Sequence, residues 1–216
     1  MVDIFDEVDE ELRAERAQQL LKRYAGLIVA LAVLIVAAAG GWQAWRWWQA
    51  RQDVAAAQRY LAAMALTQSP AAAARPDVTA DFDALARSAP DGYRTLARFQ
   101  AAALMAQHGD LKGAAGLWND IATDGTADPL LRDLASLLWC QHQIDTADPS
   151  LLEARLKALA EPGNAWRPLA QEQLALLDLR QGKTDAAKTA LGKLAQDITA
   201  PNGVRERAAA LLARLG

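Results

Sequence analysis

"QAAALMAQHGDLKGAAGLWNDIA", residues 100–122, reads as a helix, a turn at a glycine and a second helix. A second stretch, QLALLDLRQGKTDAAKTALGKLA at residues 173–195, has the same arrangement. Small residues flank the glycine at equal spacing in both: Ala102, Gly109 and Ala114, then Ala175, Gly182 and Ala187. Because small side chains let paired helices approach closely, both stretches are interpreted as helical hairpins. The shift from the first stretch to the second corresponds to about two units of a 34-residue helical repeat plus a few inserted residues.

A weaker copy of the hairpin lies between these two. Ser136, in LLRDLASLLWCQHQID, follows Ala102 by one repeat length of about 34 residues, and PSLLEARLKALAEPGN supplies the second helix. Leu152 stands in that helix where alanine is expected, which makes this copy degenerate. The last stretch, GVRERAAALLARLG, predicts a terminal capping helix.

Composition supports an all-α protein and argues against a nucleic-acid partner. Hydrophobic residues make up 52% of the chain but aromatic residues only 6%, because alanine and leucine, both strong helix formers, are abundant. Runs typical of strands are absent beyond residue 40. Residues 1–23 carry seven acids and four bases, so the remaining chain is balanced at 19 of each and has no visible basic face. Cys140, the single cysteine, excludes an intrachain disulfide.

The segment YAGLIVALAVLIVAAAGGW, residues 24–42, carries no charged side chain. As a helix it would extend about 28 Å, close to the thickness of a bilayer core. A cleaved signal peptide is the alternative, because Ala37-Ala38-Ala39 resembles a cleavage site. The preceding region is long and acidic, however, whereas a signal peptide begins with a short basic one. We therefore predict an uncleaved transmembrane helix.

Tryptophans cluster where this helix would leave the membrane, at Trp42, Trp45, Trp47 and Trp48. At about 100° per residue they lie at roughly 0°, 300°, 140° and 240°, around the helix and not along one face. A ligand cage requires rings that converge, whereas indole rings favour the lipid headgroup layer. The tryptophans and Arg46 are therefore predicted to contact membrane lipid as an interfacial collar.

Basic residues near the two ends of the span number four on the N-terminal side and three on the other, which favours a cytoplasmic N-terminus. The tail before the span is acidic in its first turns and basic in its last, as the helix dipole favours. It is either a solvated helix that runs into the membrane or a docking helix for a protein partner.

The proline-containing stretch TQSPAAAARPDV, residues 67–78, predicts a linker or helix break. The predicted parts are an amphipathic tail at 1–23, a transmembrane helix with its collar at 24–48, a helical extension and linker at 49–77 and a repeat domain at 78–216.

The hairpins resemble the tetratricopeptide repeat, although most large consensus positions are lost and Asp178 stands where a large apolar side chain is usual. Tail, span, GWQAWRWWQ exit and degenerate repeats together resemble the ancillary subunit of the bacterial Sec translocon. This resemblance covers nearly the whole chain, and the tail DIFDEVDEELRAERAQQLLKRY is similar to the alphaproteobacterial version. It implies an all-α fold, with one N-terminal transmembrane helix followed by a degenerate tetratricopeptide-like solenoid. It also implies inner-membrane insertion with periplasmic repeats, and association with Sec translocon subunits and a membrane-anchored periplasmic chaperone.

Candidate catalytic and metal-binding residues are few. His108 and His142 lie one repeat length apart at equivalent positions, but two histidines without carboxylate or thiolate ligands make a poor metal site. Cys140 follows a tryptophan in an apolar helix with no basic neighbour in sequence, as expected of a buried, inert thiol. We expect no enzyme activity and no cofactor.

A repeat solenoid presents a concave face lined mainly by the first helix of each pair. The repeat register assigns six residues to this face: Phe99, Ala103 and Ala106 in the first unit, and Glu172, Leu176 and Leu179 in the third. We expect a groove there for an apolar peptide or partner helix, although residues 78–90 or the C-terminal helix could instead fill it.

The function expected from these features is a membrane-anchored adaptor or chaperone-like subunit that binds unfolded clients or partners at the translocon. An alternative is a scaffold for another envelope assembly, in the cell wall or outer membrane. A third class, an enzyme or metal-binding receptor with a signal peptide, predicts a mature N-terminus near residue 40.

Overall fold

The computed structural model describes residues 4–67 and 77–216, and the side chains of residues 23–67 and 79–216. Within these ranges the chain forms nine α-helices and no strand, which confirms the all-α prediction. The helices are α1 (Ile4–Thr67), α2 (Asp77–Ser88), α3 (Asp91–Gln107), α4 (Leu111–Thr123), α5 (Pro129–His142), α6 (Pro149–Leu159), α7 (Arg167–Arg180), α8 (Thr184–Gln196) and α9 (Asn202–Leu215). Most of the predicted linker, residues 68–76, lies outside the described residues, as do the side chains of most of the predicted tail.

Contacts divide the chain into two units, Met1–Gln52 and Asp53–Gly216. In the first unit, α1 carries the predicted uncharged segment, which is helical throughout. The apolar window of this helix has a mean hydropathy of 2.3, and none of it is buried. A helix that is apolar on all sides needs an apolar environment around it. By length and composition, this helix is long and apolar enough to cross a membrane.

The second unit is a succession of antiparallel helices in which each helix packs on its sequence neighbours. The pairs α3–α4, α5–α6 and α7–α8 correspond to the three predicted hairpins, and α9 packs on α8 as the predicted cap. The end of α1 forms a further layer, where Ala63 packs with Phe82 of α2 and Ala101 of α3. Successive apolar clusters then continue through the later pairs, so that the core is a row of small layers and not one central body.

Glycine turns separate the helices of the first and third pairs. Gly109 and Gly182 adopt φ values of 86° and 75°, a left-handed conformation that favours glycine. In both turns the same backbone hydrogen bonds close the helix end. The amide of Asp110 donates to the carbonyl of Met105, and the amide of Lys183 donates to that of Asp178. This matched geometry explains why the two stretches share a glycine at the same spacing.

The small residues of the predicted framework are buried as expected, since Ala102, Ala114, Ala175 and Ala187 are all fully inaccessible. Leu152, at the alanine position of the middle pair, is also fully buried. Ser136, which follows Ala102 by one repeat length, is only half-buried, whereas its neighbours Ala135 and Leu137 face the core. The pair α5–α6 therefore packs differently from the other two pairs, because α6 carries the large Leu152 and no glycine turn follows α5.

Candidate functional site

An apolar cavity of about 340 Å³ opens between the first helices of two successive pairs. It is called the α3–α5 cavity, and its lining consists of Phe99, Ala103, Ala106, Gln107, Trp118, Leu138 and His142. The three residues that the repeat register assigned to the first helical pair therefore line one common cavity. The other lining residues come from later positions in the chain.

The wall of the α3–α5 cavity is aromatic. The ring of Trp118, which is only 2% exposed, lies with its centroid 4.3 Å from that of His142. The Nδ1 atom of His142 lies 3.0 Å from the carbonyl oxygen of Leu138. Because a carbonyl only accepts, Nδ1 must donate, which leaves Nε2 as the acceptor of a neutral ring. Within the described residues, the indole Nε1 of Trp118 has no hydrogen-bond partner.

His142 lies at the end of α5, and its ring forms part of the cavity wall. His108, its counterpart in the repeat, is exposed and does not line the cavity. No group of three or more potential metal ligands occurs in the described part of the chain. One histidine of the pair therefore contributes to the cavity wall, whereas the other is exposed at the end of its helix.

The residues that the repeat register assigned to the third helical pair, α7–α8, do not line the α3–α5 cavity. Glu172 is 4% exposed and forms a two-point ion pair with Arg207 of α9, with distances of 2.7 Å from Nε and 2.6 Å from Nη2. This hydrogen bonding raises the pKa of Arg207 above its ordinary value. Leu176 and Leu179 are half-buried. At Glu172, a side chain of the C-terminal helix therefore contacts this face of α7.

A larger groove of about 750 Å³ lies on another side of α7, between α6 and α8. It is called the α6–α8 groove, and its lining includes Leu174, Leu177 and Asp178 of α7 but not Glu172, Leu176 or Leu179. The sequence contains one signal for it, because the leucines of α7 cover more of the helix circumference than one core contact requires. That pattern does not specify which neighbouring helices form the walls.

The tryptophan collar lies on α1 in the first unit. All four indole rings are exposed, with relative accessibilities between 51% and 66%. Trp45 and Trp48 lie with ring centroids 5.5 Å apart, and the guanidinium of Arg51 lies 3.8 Å from the centre of the Trp47 ring. Arg46 is also exposed. Exposed rings with an adjacent cation suit the interfacial layer of a membrane.

Polar side chains connect successive helical pairs. Arg155 of α6 donates to Asn119 of α4 at 2.7 Å and lies over the Trp139 ring of α5 at 4.1 Å. Arg180 of α7 donates to the carbonyl of Ile144 in the loop between α5 and α6 at 2.7 Å. Such contacts fix how one pair stacks on the next, and they do not converge on a reactive group.

Cys140 is fully buried, and burial raises the pKa of its thiol to about 11. Arg155 is a basic neighbour that the sequence did not reveal, and its charge opposes this shift. Desolvation is the larger effect, so the thiol is protonated at neutral pH and is a poor nucleophile.

Comparisons with known proteins agree with this architecture. Neither the curated proteins nor the solved structures include a match to this chain. The family model described as a tetratricopeptide repeat-like domain matches residues 18–137, which is more than half of the chain. The matched range includes the uncharged segment of α1 and the helices that form most of the α3–α5 cavity. Domains of this kind are generally non-catalytic scaffolds for protein–protein interaction. The chain therefore belongs to the tetratricopeptide repeat-like family.

Proposed function

We propose that this protein is a single-pass subunit of the bacterial inner membrane that serves as an adaptor at the Sec translocon. Its N-terminus would be cytoplasmic, and its repeat domain would lie in the periplasm. There it would bind a membrane-anchored chaperone or unfolded client polypeptides, keep them near the channel exit, and act by binding alone.

The α3–α5 cavity is the observation that carries this proposal. Its lining is largely apolar and comes mainly from the first helices of two successive pairs, which line the binding face of repeat solenoids, and three of its residues were assigned from the repeat register. A volume of about 340 Å³ suits one or two apolar side chains of a bound segment. Burial of such side chains stabilises a complex without requiring a particular sequence. This tolerance suits a protein that binds many unfolded chains.

The aromatic wall adds a polar element to the cavity. His142 Nε2 is available as an acceptor, and Trp118 Nε1 is a donor without a partner among the described residues. A bound backbone could use both groups after a small movement of the rings. The cavity would then hold a polypeptide by an apolar anchor and by main-chain hydrogen bonds.

The exposed apolar stretch of α1 supports membrane insertion, since no part of it packs against protein. The exposed tryptophans and Arg51 that follow support an interfacial collar at its end. The charge bias around the span supports a cytoplasmic N-terminus. The association with the translocon itself rests on the resemblance in tail, span, exit and repeats.

Gentle crosslinking in bacterial cells, followed by purification of the protein, tests both the partner and the site. We expect translocon subunits with the native protein and about tenfold less of them with Ala103→Arg, because a cation would occupy the apolar cavity. Ala209→Arg, at an exposed position of α9, is the matched control and should behave as the native protein. Circular dichroism would verify that all three are folded.

Two outcomes would contradict the proposal. Recovery of cell-wall or outer-membrane assembly proteins in place of translocon subunits would favour the envelope-scaffold alternative. Equal recovery with folded Ala103→Arg would exclude the α3–α5 cavity as the binding site. A second variant, Leu176→Glu with Leu179→Glu, would then show whether the third helical pair binds the partner.

A further inference from the structure

The α6–α8 groove is a second concave surface in the helical-repeat part of the chain, Asp53–Gly216, and it shares no lining residue with the α3–α5 cavity. Its floor is apolar and comes from α7 and α8, with Leu174, Leu177, Ala190 and Leu194. The helices α6 and α8 form its two walls, and both pack on α7. At about 750 Å³ it has roughly twice the volume of the α3–α5 cavity. This size suits a row of side chains and not a single one.

Opposite charges predominate at the two ends of the groove, although Asp197 also lies at the basic end. One end, called the turn end, lies beside the glycine turn between α7 and α8 and carries Asp178 and Asp185. The other end, called the open end, lies at the start of α7 and the end of α8 and carries Arg167 and Lys193. Because α7 and α8 are antiparallel neighbours in sequence, residues beside the turn lie far from those at the open end.

Two of the four end charges form no ion pair among the described residues. Within the described residues Asp185 and Lys193 form no ion pair, and the nearest cation to Asp178 is Lys183 at 4.0 Å. Arg167 has an Nε atom that is buried and without a hydrogen-bond partner in the described chain. Asp185 and Lys193, which carry opposite charges and form no ion pair among the described residues, therefore mark the two ends of an apolar trough as a polarised surface.

Other charges in the groove are already paired locally. Glu153 binds Lys157 one turn along α6 at 2.7 Å. Asp197, at the open end, accepts a hydrogen bond from the Thr199 hydroxyl at 2.6 Å, which is the largest cause of its lowered pKa, and the charge of Arg167 contributes to the same shift. With these interactions formed, the contrast that remains along the groove is between Asp185 at the turn end and Lys193 at the open end.

We propose that the α6–α8 groove docks an amphipathic helix of a partner protein, with basic residues at the turn end and acidic residues at the open end. The apolar stripe of that helix would cover the leucines and alanines of the floor, as in other helix-in-groove complexes. Complementary charges would select the partner and its register. A protein with both surfaces could hold a partner on one face while a client occupies the other.

The helix dipole of α8 offers a structural explanation for two of the charges. Asp185 lies in its first turn and Lys193 in its last, where each stabilises the helix itself. That explanation predicts effects on stability only, and it does not account for Asp178, Arg167 or the apolar floor. The test must therefore measure binding.

Fluorescence anisotropy with two synthetic helical peptides and the full chain in lipid nanodiscs provides this measurement. Both peptides carry the same leucine stripe and the same composition. One has glutamates in its first turns and lysines in its last, whereas the other alternates the two charges along its length. We expect the polarised peptide to bind about tenfold more tightly than the alternating one, and to weaken with added salt.

Variants of the protein locate the site. Ala186 is exposed on the groove wall, so Ala186→Arg should obstruct the groove without disturbing the core and weaken the polarised peptide about tenfold. Lys193→Glu should reverse the charge at the open end and reduce the preference between the peptides. Ala209→Arg on α9 is the control with unchanged binding, and Ala103→Arg should also leave peptide binding unchanged.

The proposal is overturned if neither peptide binds, if both bind equally, or if folded Ala186→Arg binds as the native protein does. Loss of peptide binding in Ala103→Arg would assign the peptide to the α3–α5 cavity and would also overturn it. Because Ala103→Arg and Ala186→Arg obstruct different surfaces, failure of this inference is distinguishable from failure of the proposed adaptor function.

Discussion

At the scale of single residues, Asp124 shows how one carboxylate joins two helices. It follows α4, accepts hydrogen bonds from the hydroxyl and amide of Thr126, and pairs with Arg98 of α3 at 2.8 Å. These bonds, with the Thr126 hydroxyl as the largest cause, lower the pKa of Asp124 from 3.8 to about 2. A carboxyl with a lower pKa in the folded chain favours folding above the unfolded pKa. Its contribution is lost as the pH falls from about 4 toward 2.

The variant Thr126→Val tests this assignment. Removal of the hydroxyl should raise the pKa of Asp124 toward its ordinary value, and it should reduce the loss of stability between about pH 4 and pH 2. The pKa can be followed by NMR titration of the side-chain carboxyl. Thr199→Val is the matched control, because it removes the equivalent bond to Asp197 and should leave Asp124 unchanged. An unaltered Asp124 titration in Thr126→Val would assign the shift to the amide of residue 126 and to Arg98 instead of the hydroxyl.

Glycine conformation provides a second prediction at this scale, because Gly109 and Gly116 have opposite requirements. Gly109 adopts a φ of 86°, which strains any residue with a Cβ, whereas Gly116 lies within α4 with open space around it. Gly109→Ala should destabilise the fold by about 1 kcal/mol, and Gly116→Ala should stabilise it by about 0.5–1 kcal/mol. Chemical denaturation of both variants measures the two free energies. Changes of the same sign would contradict the turn geometry.

At the scale of helices, the middle pair α5–α6 departs most from the repeat. Leu152 takes the place of a small residue, and it packs with Leu137, Cys140 and Leu177 in a cluster that reaches α7. Accordingly, α6 packs more extensively on α7 than on α5. The degenerate copy thus joins the second pair to the third through apolar contacts.

A comparison of Leu152→Ala with Leu151→Ala tests this role. Leu152 is fully buried, so its truncation should cost about 2–5 kcal/mol of unfolding free energy, including the cavity it leaves. Leu151 is 43% exposed and should cost less than about 1 kcal/mol. Urea denaturation followed by far-ultraviolet circular dichroism provides both values. Equal costs for the two leucines would mean that α6 does not hold the pairs together.

Local features of the sequence predicted the helices well, whereas the surfaces depend on distant contacts. A glycine with positive φ and a pair of buried alanines are set within one hairpin, so the sequence of residues 100–122 suffices to predict α3 and α4. Phe99, Ala103 and Ala106 followed from the same register. The sequence did not predict Trp118, Leu138 or His142 as cavity residues, because the stacking of one pair on the next brings them there.

The α6–α8 groove was missed for a related reason. Its floor depends on which side of α7 faces the gap between two helices of different pairs, and the register of one helix does not specify this. The ion pair of Glu172 with Arg207 was equally hidden, since its partners lie 35 residues apart. Sequence periodicity predicted the faces of each helix, whereas packing decided which faces remain open.

At the scale of the whole chain, the protein combines an exposed apolar helix with a tetratricopeptide repeat-like domain. The helical-repeat part of the chain has two concave surfaces of different chemistry, an aromatic cavity between α3 and α5 and a polarised groove between α6 and α8. An adaptor that holds a partner and a client needs such separate surfaces. Its proposed place of action depends on an uncleaved span with the repeats on the periplasmic side.

Labelling of lysines in sealed bacterial spheroplasts with a membrane-impermeant amine reagent, followed by mass mapping, tests this arrangement most directly. Lys22 precedes the span in the sequence. Lys112, Lys183 and Lys193 are exposed in the helical-repeat part of the chain. We predict label on the repeat lysines, none on Lys22, and recovery of unlabelled peptides from residues 1–39 with the membrane. Label on Lys22 with protected repeat lysines, or a mature chain that begins near residue 40, would contradict the account.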